Sequence, residues 1–204
     1  DGPSMQIGNP YRVHQRMKKW VNESEEAGKH WLVNLDEIGP HWKGVLPDSF
    51  DAGHDTVRHH CLWGALMAGG TGVEWYFGYR YPHNDLGLED FRSRDNWWEQ
   101  STIATQFIRD FPVEEMKNHD ELLDVKEGYC FANPGQVYVI YLPAGNKNAK
   151  LQLEGNKNYS VKWFNPRDGG NLQDGSVTSV SGGGKKALGN PPADADEDWV
   201  VVLR

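Results

Sequence analysis

The chain has 204 residues, 38% of them apolar and 25% charged, with a formal net charge of −8 and a pI near 5.4. This is enough chain for one large domain or two small ones, with the composition of an ordinary globular protein. The acidic balance leaves nothing to neutralise phosphates, which argues against a nucleic-acid partner, and no apolar run approaches the roughly 20 residues that span a bilayer.

The polar start "DGPSMQIGNP" carries no signal peptide and reads as a loop. Asn9-Pro10 supplies an N-cap followed by proline at N1, predicting a helix to about Glu26 with Tyr11, His14, Met17 and Val21 on one face. Gly28 is its stop. A strand is expected over His30–Asp36. A loop then leads to a second helix, Asp55–Met67, striped by Val57, Cys61, Ala65 and Ala68 and closed by "AGGTG". "VEWYFGY" reads as another strand, and a third helix runs from Asp95 to Phe111. This helix–strand alternation implies parallel strands with right-handed crossovers, yet two strands cannot close a sheet.

The pattern changes near Pro112. Strands are expected at 137–142, 149–154, 159–164, 176–181 and 198–203, separated by turn signals that include "GNKN" at 145 and at 155 and "NPRDGG" at 165. Such spacing is that of an antiparallel sandwich. The fold class is therefore α/β plus all-β, with a change of style between residues 1–112 and 113–204.

Chemistry is expected at the C-terminal ends of the parallel strands. "KHWLVNLDEIGP" ends an apolar run in two carboxylates, Asp36 and Glu37. Alternation puts them on opposite faces, with Asp36 inward; a bulge at the strand tip would exchange them. In "TGVEWYFGY", Val73, Trp75 and Phe77 share one face, and Gly72, Glu74 and Tyr76 the other. Inward Glu74 is either an acid paired with an arginine or part of a site. Paired carboxylates suggest glycoside hydrolysis, and seven of the nine tryptophans precede residue 99, where flat apolar faces suit both a core and sugar rings. Asp85, Glu89, Asp90 and Asp95 accompany Arg92 and Arg94, which reads as a salt-bridged loop or as substrate contact through Asn84 and Asp85.

Other signals are weak. His54, His59 and His60 lack zinc-ligand spacing, and "DADED" at 194–198 reads as an acidic turn rather than a calcium site, so no metal or cofactor is expected. "SGGGKK" lacks the strand–loop–helix setting of a phosphate loop. Cys61 and Cys130 read as small buried hydrophobes.

The segments "LVNLDEIGP", "HDTVRHHCLWGALMAGGTGVEWYFGY", "HNDLGLEDFRSRDNWWEQ", "WFNPRDGG" and "DWVVVL" resemble those of a group of multidomain bacterial proteins. These carry an apiosidase-like (β/α)8 glycoside-hydrolase barrel followed by a β-sandwich catalogued as a collagen-binding domain. The resemblance implies that residues 1–112 are the C-terminal part of such a barrel and that 113–204 form an Ig-like β-sandwich. It implies a retaining hydrolase with Glu37 as nucleophile (Asp36 the alternate), and Trp42, Tyr76, Tyr79, Asn84 and Asp85 lining a carbohydrate site beside Glu74. The general acid would lie on a fourth strand that this chain lacks. The remaining strands would come from a longer chain or another fragment, and the location would be extracellular or periplasmic. The competing expectation is a carbohydrate- or matrix-binding module without catalysis.

Overall fold

The computed structural model describes residues 2–87, 89–144 and 148–204. The chain forms two compact units, Asp1–Thr105 and Gln106–Arg204.

The first unit holds a three-stranded parallel sheet in the order β1 (Ser4–Ile7), β2 (Asn34–Ile38), β3 (Gly72–Val73). β1 corrects the expected N-terminal loop. Four residues of mixed polarity show no clear period, and only pairing to β2 makes them a strand. Helix α1 (Val13–Glu26) follows a 3₁₀ turn, with the Asn9 side chain capping Tyr11 N–H at 3.1 Å. Val13, His14 and Met17 are buried, whereas Tyr11 is exposed. The second helix is continuous but not uniform: α2 (Asp55–Val57) passes through a π-helical turn (Arg58–Leu62) into α3 (Trp63–Met67). Buried Arg58 opens that turn and reaches back along the chain, donating to the Gly53 carbonyl and to Asp55 at 2.7 Å. Helix α4 (Asp95–Ile108) lays Trp97 against Trp75 at 4.5 Å and Trp98 against Phe77 at 5.8 Å. The alternation read from the sequence at Trp75 and Phe77 thus faces this helix.

Two strand expectations need correction. The strand after α1 begins at Asn34, not His30, because Leu32 stands exposed and only Val33 and Leu35 meet the core. Of "VEWYFGY" only Val73 lies in a regular strand, with Gly72 before it; Glu74 N–H still reaches the Leu35 carbonyl at 2.7 Å, but the chain then leaves the sheet.

The second unit consists of antiparallel strands: β4 (Lys117–Asn118), β5 (Leu123–Asp124), β6 (Tyr129–Asn133), β7 (Val137–Leu142), β8 (Lys150–Leu153), β9 (Asn158–Phe164), β10 (Ser179–Ser181), β11 (Gly184–Ala187) and β12 (Trp199–Leu203). Six form one sheet in the order β10-β9-β12-β7-β6-β4, and three a second, β11-β8-β5. Alternate residues Tyr138, Ile140 and Leu142, Tyr159, Val161 and Trp163, and Trp199, Val201 and Leu203 share a core with Leu151, Leu153 and Leu188. Burial of each such side chain contributes about 1.5–3 kcal/mol. β7 and β12 are buried along their whole length, which is why "VYVIYL" and "WVVVL" lack a polar face. Phe164 stacks on Phe107 with centroids 4.3 Å apart.

The turn 155–158 links β8 to β9, whereas the first three residues of the "GNKN" at 145–148 lie outside the described residues. "NPRDGG" is an Asn turn: Asn165 Oδ1 accepts from Arg167 N–H at 2.9 Å and Asp168 N–H at 3.2 Å. It sends Arg167 to the fully buried Asp198, 3.1 Å away, whose other oxygen accepts the Tyr141 hydroxyl at 2.6 Å. "DADED" therefore ends in a buried acid.

Candidate active site at the ends of β2 and β3

A cleft of about 320 Å³ opens where β1, β2 and β3 end, lined by Gln6, Asp36, Glu37, Glu74, Trp75, Tyr76 and Asp85. Four carboxylates thus converge on one opening in the first unit. Of the residues selected from the sequence, Asp36, Glu37, Glu74, Tyr76 and Asp85 come together here. Trp42, Tyr79 and Asn84 lie outside the lining. Gln6 and Trp75 were missed: Gln6 because its strand was unreadable, Trp75 because its ring was assigned wholly to the helix side.

The strand tip departs from alternation. Met5 pairs with Leu35, but Gln6 pairs with Glu37, so Asp36 is an extra residue in β2. This is a β-bulge, which turns two successive side chains to one side. Leu35 and Ile38 are both buried against the core, and the two acids between them face the cleft. The expectation that Asp36 and Glu37 point to opposite faces is therefore corrected. The bulge itself was the condition under which Glu37 could reach the site.

Hydrogen bonding separates the four acids. The Asn34 amide donates to Asp36 Oδ1, and Phe77 N–H donates to Asp85 Oδ2 at 2.8 Å. Glu37 and Glu74 have no hydrogen-bond or ion-pair partner among the described residues, so the arginine considered for Glu74 is absent from them. Gly72 stands opposite Asn34, and a Cβ there would lie 2.2 Å from Asn34 Oδ1. That missing side chain makes room for the amide that holds Asp36. Tyr76 closes one wall by donating its hydroxyl to the His41 carbonyl. Partial burial, then the carboxylates of Glu37 and Asp85 and the neighbouring Tyr79, raise the Tyr76 hydroxyl above the ordinary phenol range.

The walls are fixed by a close crossing of two loops. Gly44 and Gly78 both have positive φ, +56° and +70°, and a Cβ at Gly78 would meet Trp42 and Lys43 backbone atoms at 2.7 Å. Val45 N–H donates to the Tyr76 carbonyl at 2.8 Å across this crossing. Buried Arg94 ties the same loops, donating to the carbonyls of Val45 and His83, each at 2.8 Å, with its guanidinium 4.4 Å from the Phe77 ring. Burial lowers its pKa. Arg92 instead pairs with Asp90 at 2.9 Å, so one arginine of this segment forms the expected salt bridge and the other a clamp on carbonyls. Asn84 spends its amide on the Tyr79 and Tyr81 carbonyls, at 3.0 and 2.7 Å, which shapes the loop.

His54 is buried, with Nε2 2.7 Å from Asp48 and its ring 5.4 Å from Trp97. No group of His, Cys, Asp and Glu among the described residues has the geometry to hold a metal ion. Cys61 and Cys130 are buried and form no disulfide with each other, and burial pushes the Cys61 thiol far up. No helix among the described residues is long and apolar enough to cross a membrane.

Residues 112–204 match the family model described as "Putative collagen-binding domain of a collagenase". Two solved structures resemble the chain over 91% of its length at 13% identity. One is described as a glycoside hydrolase (TM-score 0.64, 45% of that chain covered), the other as a family 5 glycoside hydrolase from Bacteroides vulgatus ATCC 8482 (TM-score 0.62, 44% covered). The chain thus spans less than half the length of these structures, and at this identity the likeness is one of fold. No curated protein matches the sequence.

Proposed function

We propose that the chain is the C-terminal portion of a retaining glycoside hydrolase of the apiosidase-like kind, acting on a polysaccharide or oligosaccharide. In this reading β1, β2 and β3 are the last three strands of a (β/α)8 barrel, and the second unit is an Ig-like sandwich appended to it. The remaining strands come from a longer chain or another fragment, in an extracellular or periplasmic setting.

The observation that carries the reading is the bulge that turns Glu37 into the cleft, where its carboxylate has no hydrogen-bond or ion-pair partner among the described residues. An acid in that state suits attack on an anomeric carbon. Glu37 forms the glycosyl–enzyme bond as the leaving oxygen takes a proton from a general acid on another strand. Water, deprotonated by that same group, then cleaves the ester. Asp36, tied to Asn34, shapes the tip.

The test uses a chain long enough to carry both acids. Glu37→Gln is expected to lower kcat by on the order of 10³-fold or more, with Asp36→Asn far less affected. Loss in Asp36→Asn alone reverses the assignment, and full activity in both removes the hydrolase reading.

The family match over 112–204 favours a second reading, in which the second unit binds a glycan or matrix protein. Retention of the full chain on immobilised polysaccharide or collagen supports it; passage through both leaves that unit a structural appendage.

A further inference from the structure

Beyond the acids of the cleft lies an aromatic and cationic surface that hydrolysis at Glu37 does not require. Its connection to the cleft is direct. Tyr76 lines the cleft and donates to the His41 carbonyl, and the His41 ring sits 5.9 Å from Tyr79. The Trp42 carbonyl accepts from Arg80 N–H at 3.2 Å, and the Arg80 guanidinium lies 5.1 Å from the Trp42 ring and 6.0 Å from that of Tyr81. Phe50, 55% exposed, meets Tyr81 edge-on at 5.2 Å.

Arg80 differs from the other arginines of this neighbourhood. Arg92 has a carboxylate and Arg94 is buried on carbonyls, whereas Arg80 is exposed and has no carboxylate partner among the described residues. An arginine placed over aromatic rings keeps its planar donors, which match a carboxylate in bidentate fashion. Aromatic faces beside it suit the apolar faces of sugar rings. The Gly44–Gly78 crossing fixes the backbone under Trp42, so little ordering is left for binding to impose.

We propose that this surface is a subsite for an acidic sugar, a uronate-type unit carried by the substrate beyond the bond at Glu37. Arg80 takes the carboxylate, and Trp42 with Tyr81 and Phe50 forms the stacking platform. Charge decides the position: four carboxylates repel an anionic unit from the cleft itself, while Arg80 offers the opposite sign at its border. The inference rests on the carbohydrate reading of the cleft and narrows its substrate class.

The test is binding of the full chain to an array of neutral and uronate-containing plant and algal oligosaccharides, with affinities for the retained ones measured by calorimetry. Retained glycans are expected to be uronates, bound less tightly as salt rises. Arg80→Gln should weaken them by about 10- to 100-fold, with Arg80→Lys intermediate, because a charged hydrogen bond is lost. Arg80 is exposed, so an unchanged melting curve verifies folding of each variant. Retention of neutral glycans only, equal affinity in Arg80→Gln, or no retention of either class overturns the inference. The hydrolase reading is judged separately, by turnover in Glu37→Gln of the longer enzyme.

Discussion

Gln6 on β1 pairs with Glu37 on β2, and Asp36 is left over between two ladder positions. This single displaced partner turns both acids toward one cleft, and Asn34 then takes Asp36 as its own. The space for Asn34 is created across the sheet by Gly72.

Gly72→Ala is therefore expected to drive the Asn34 amide away from Asp36, destabilising the chain by about 1–3 kcal/mol. Adding Asn34→Ala should recover much of that loss, since the methyl then has room. Urea unfolding of both single variants and the double variant measures the coupling. Strictly additive effects would show that the two positions do not compete for the same space.

Gly78 and Gly28 share a positive φ, +70° and +71°, but nothing surrounds Gly28 within 4 Å. Gly28→Ala should cost only the left-handed backbone term, about 1–2 kcal/mol. Gly78→Ala adds a clash with the Trp42 and Lys43 backbone and should cost clearly more, loosening Trp42 as well. Equal losses in thermal unfolding would remove the close crossing as the reason for glycine.

In the second unit, Asp198 is fully buried and Arg167 reaches it with a side chain 16% exposed. Arg167→Met leaves that carboxylate without its cation, at an expected cost of about 3–5 kcal/mol. Tyr141→Phe removes one hydrogen bond to the same acid and should cost about 1–2 kcal/mol. Chemical denaturation ranks the two, and the reverse order would place the tyrosine, not the arginine, at the centre of the network.

Tyr76 gives a prediction at high pH. Partial burial and the Glu37 and Asp85 carboxylates disfavour its phenolate, so the folded chain holds this proton more tightly than the unfolded one. The associated stability is fully present below about pH 10, the unfolded value, and disappears as pH rises through the folded pKa. Ultraviolet titration should find a late-titrating phenol that Tyr76→Phe removes and Glu37→Gln shifts back toward the ordinary range. A phenol unmoved by Glu37→Gln would mean that the two groups do not feel each other.

Elements with a strong local signature were legible in the sequence. Asn9-Pro10 marked the 3₁₀ turn that leads into α1, the apolar stripe marked the helix from Asp55, and "VYVIYL" formed over the expected residues, because capping, periodicity and unbroken apolar runs act within a few residues. Lys117–Asn118 and Gly184–Ala187 escaped notice, since short strands of mixed or small residues acquire regular structure only from their partners. Asp36 and Glu37 were recognisable as a candidate site from their place at a strand tip.

What the sequence determined by itself was therefore composition, charge, the helices and the long apolar strands, all governed by interactions between near neighbours. The tertiary structure alone decided that both acids share a face, that Glu37 and Glu74 have no hydrogen-bond or ion-pair partner among the described residues, and that Arg94 clamps loop carbonyls. Those outcomes depend on the register between β1 and β2 and on backbone crossings at Gly44 and Gly78. Register and crossing are set by residues some thirty positions apart, and no local pattern in either segment encodes the match.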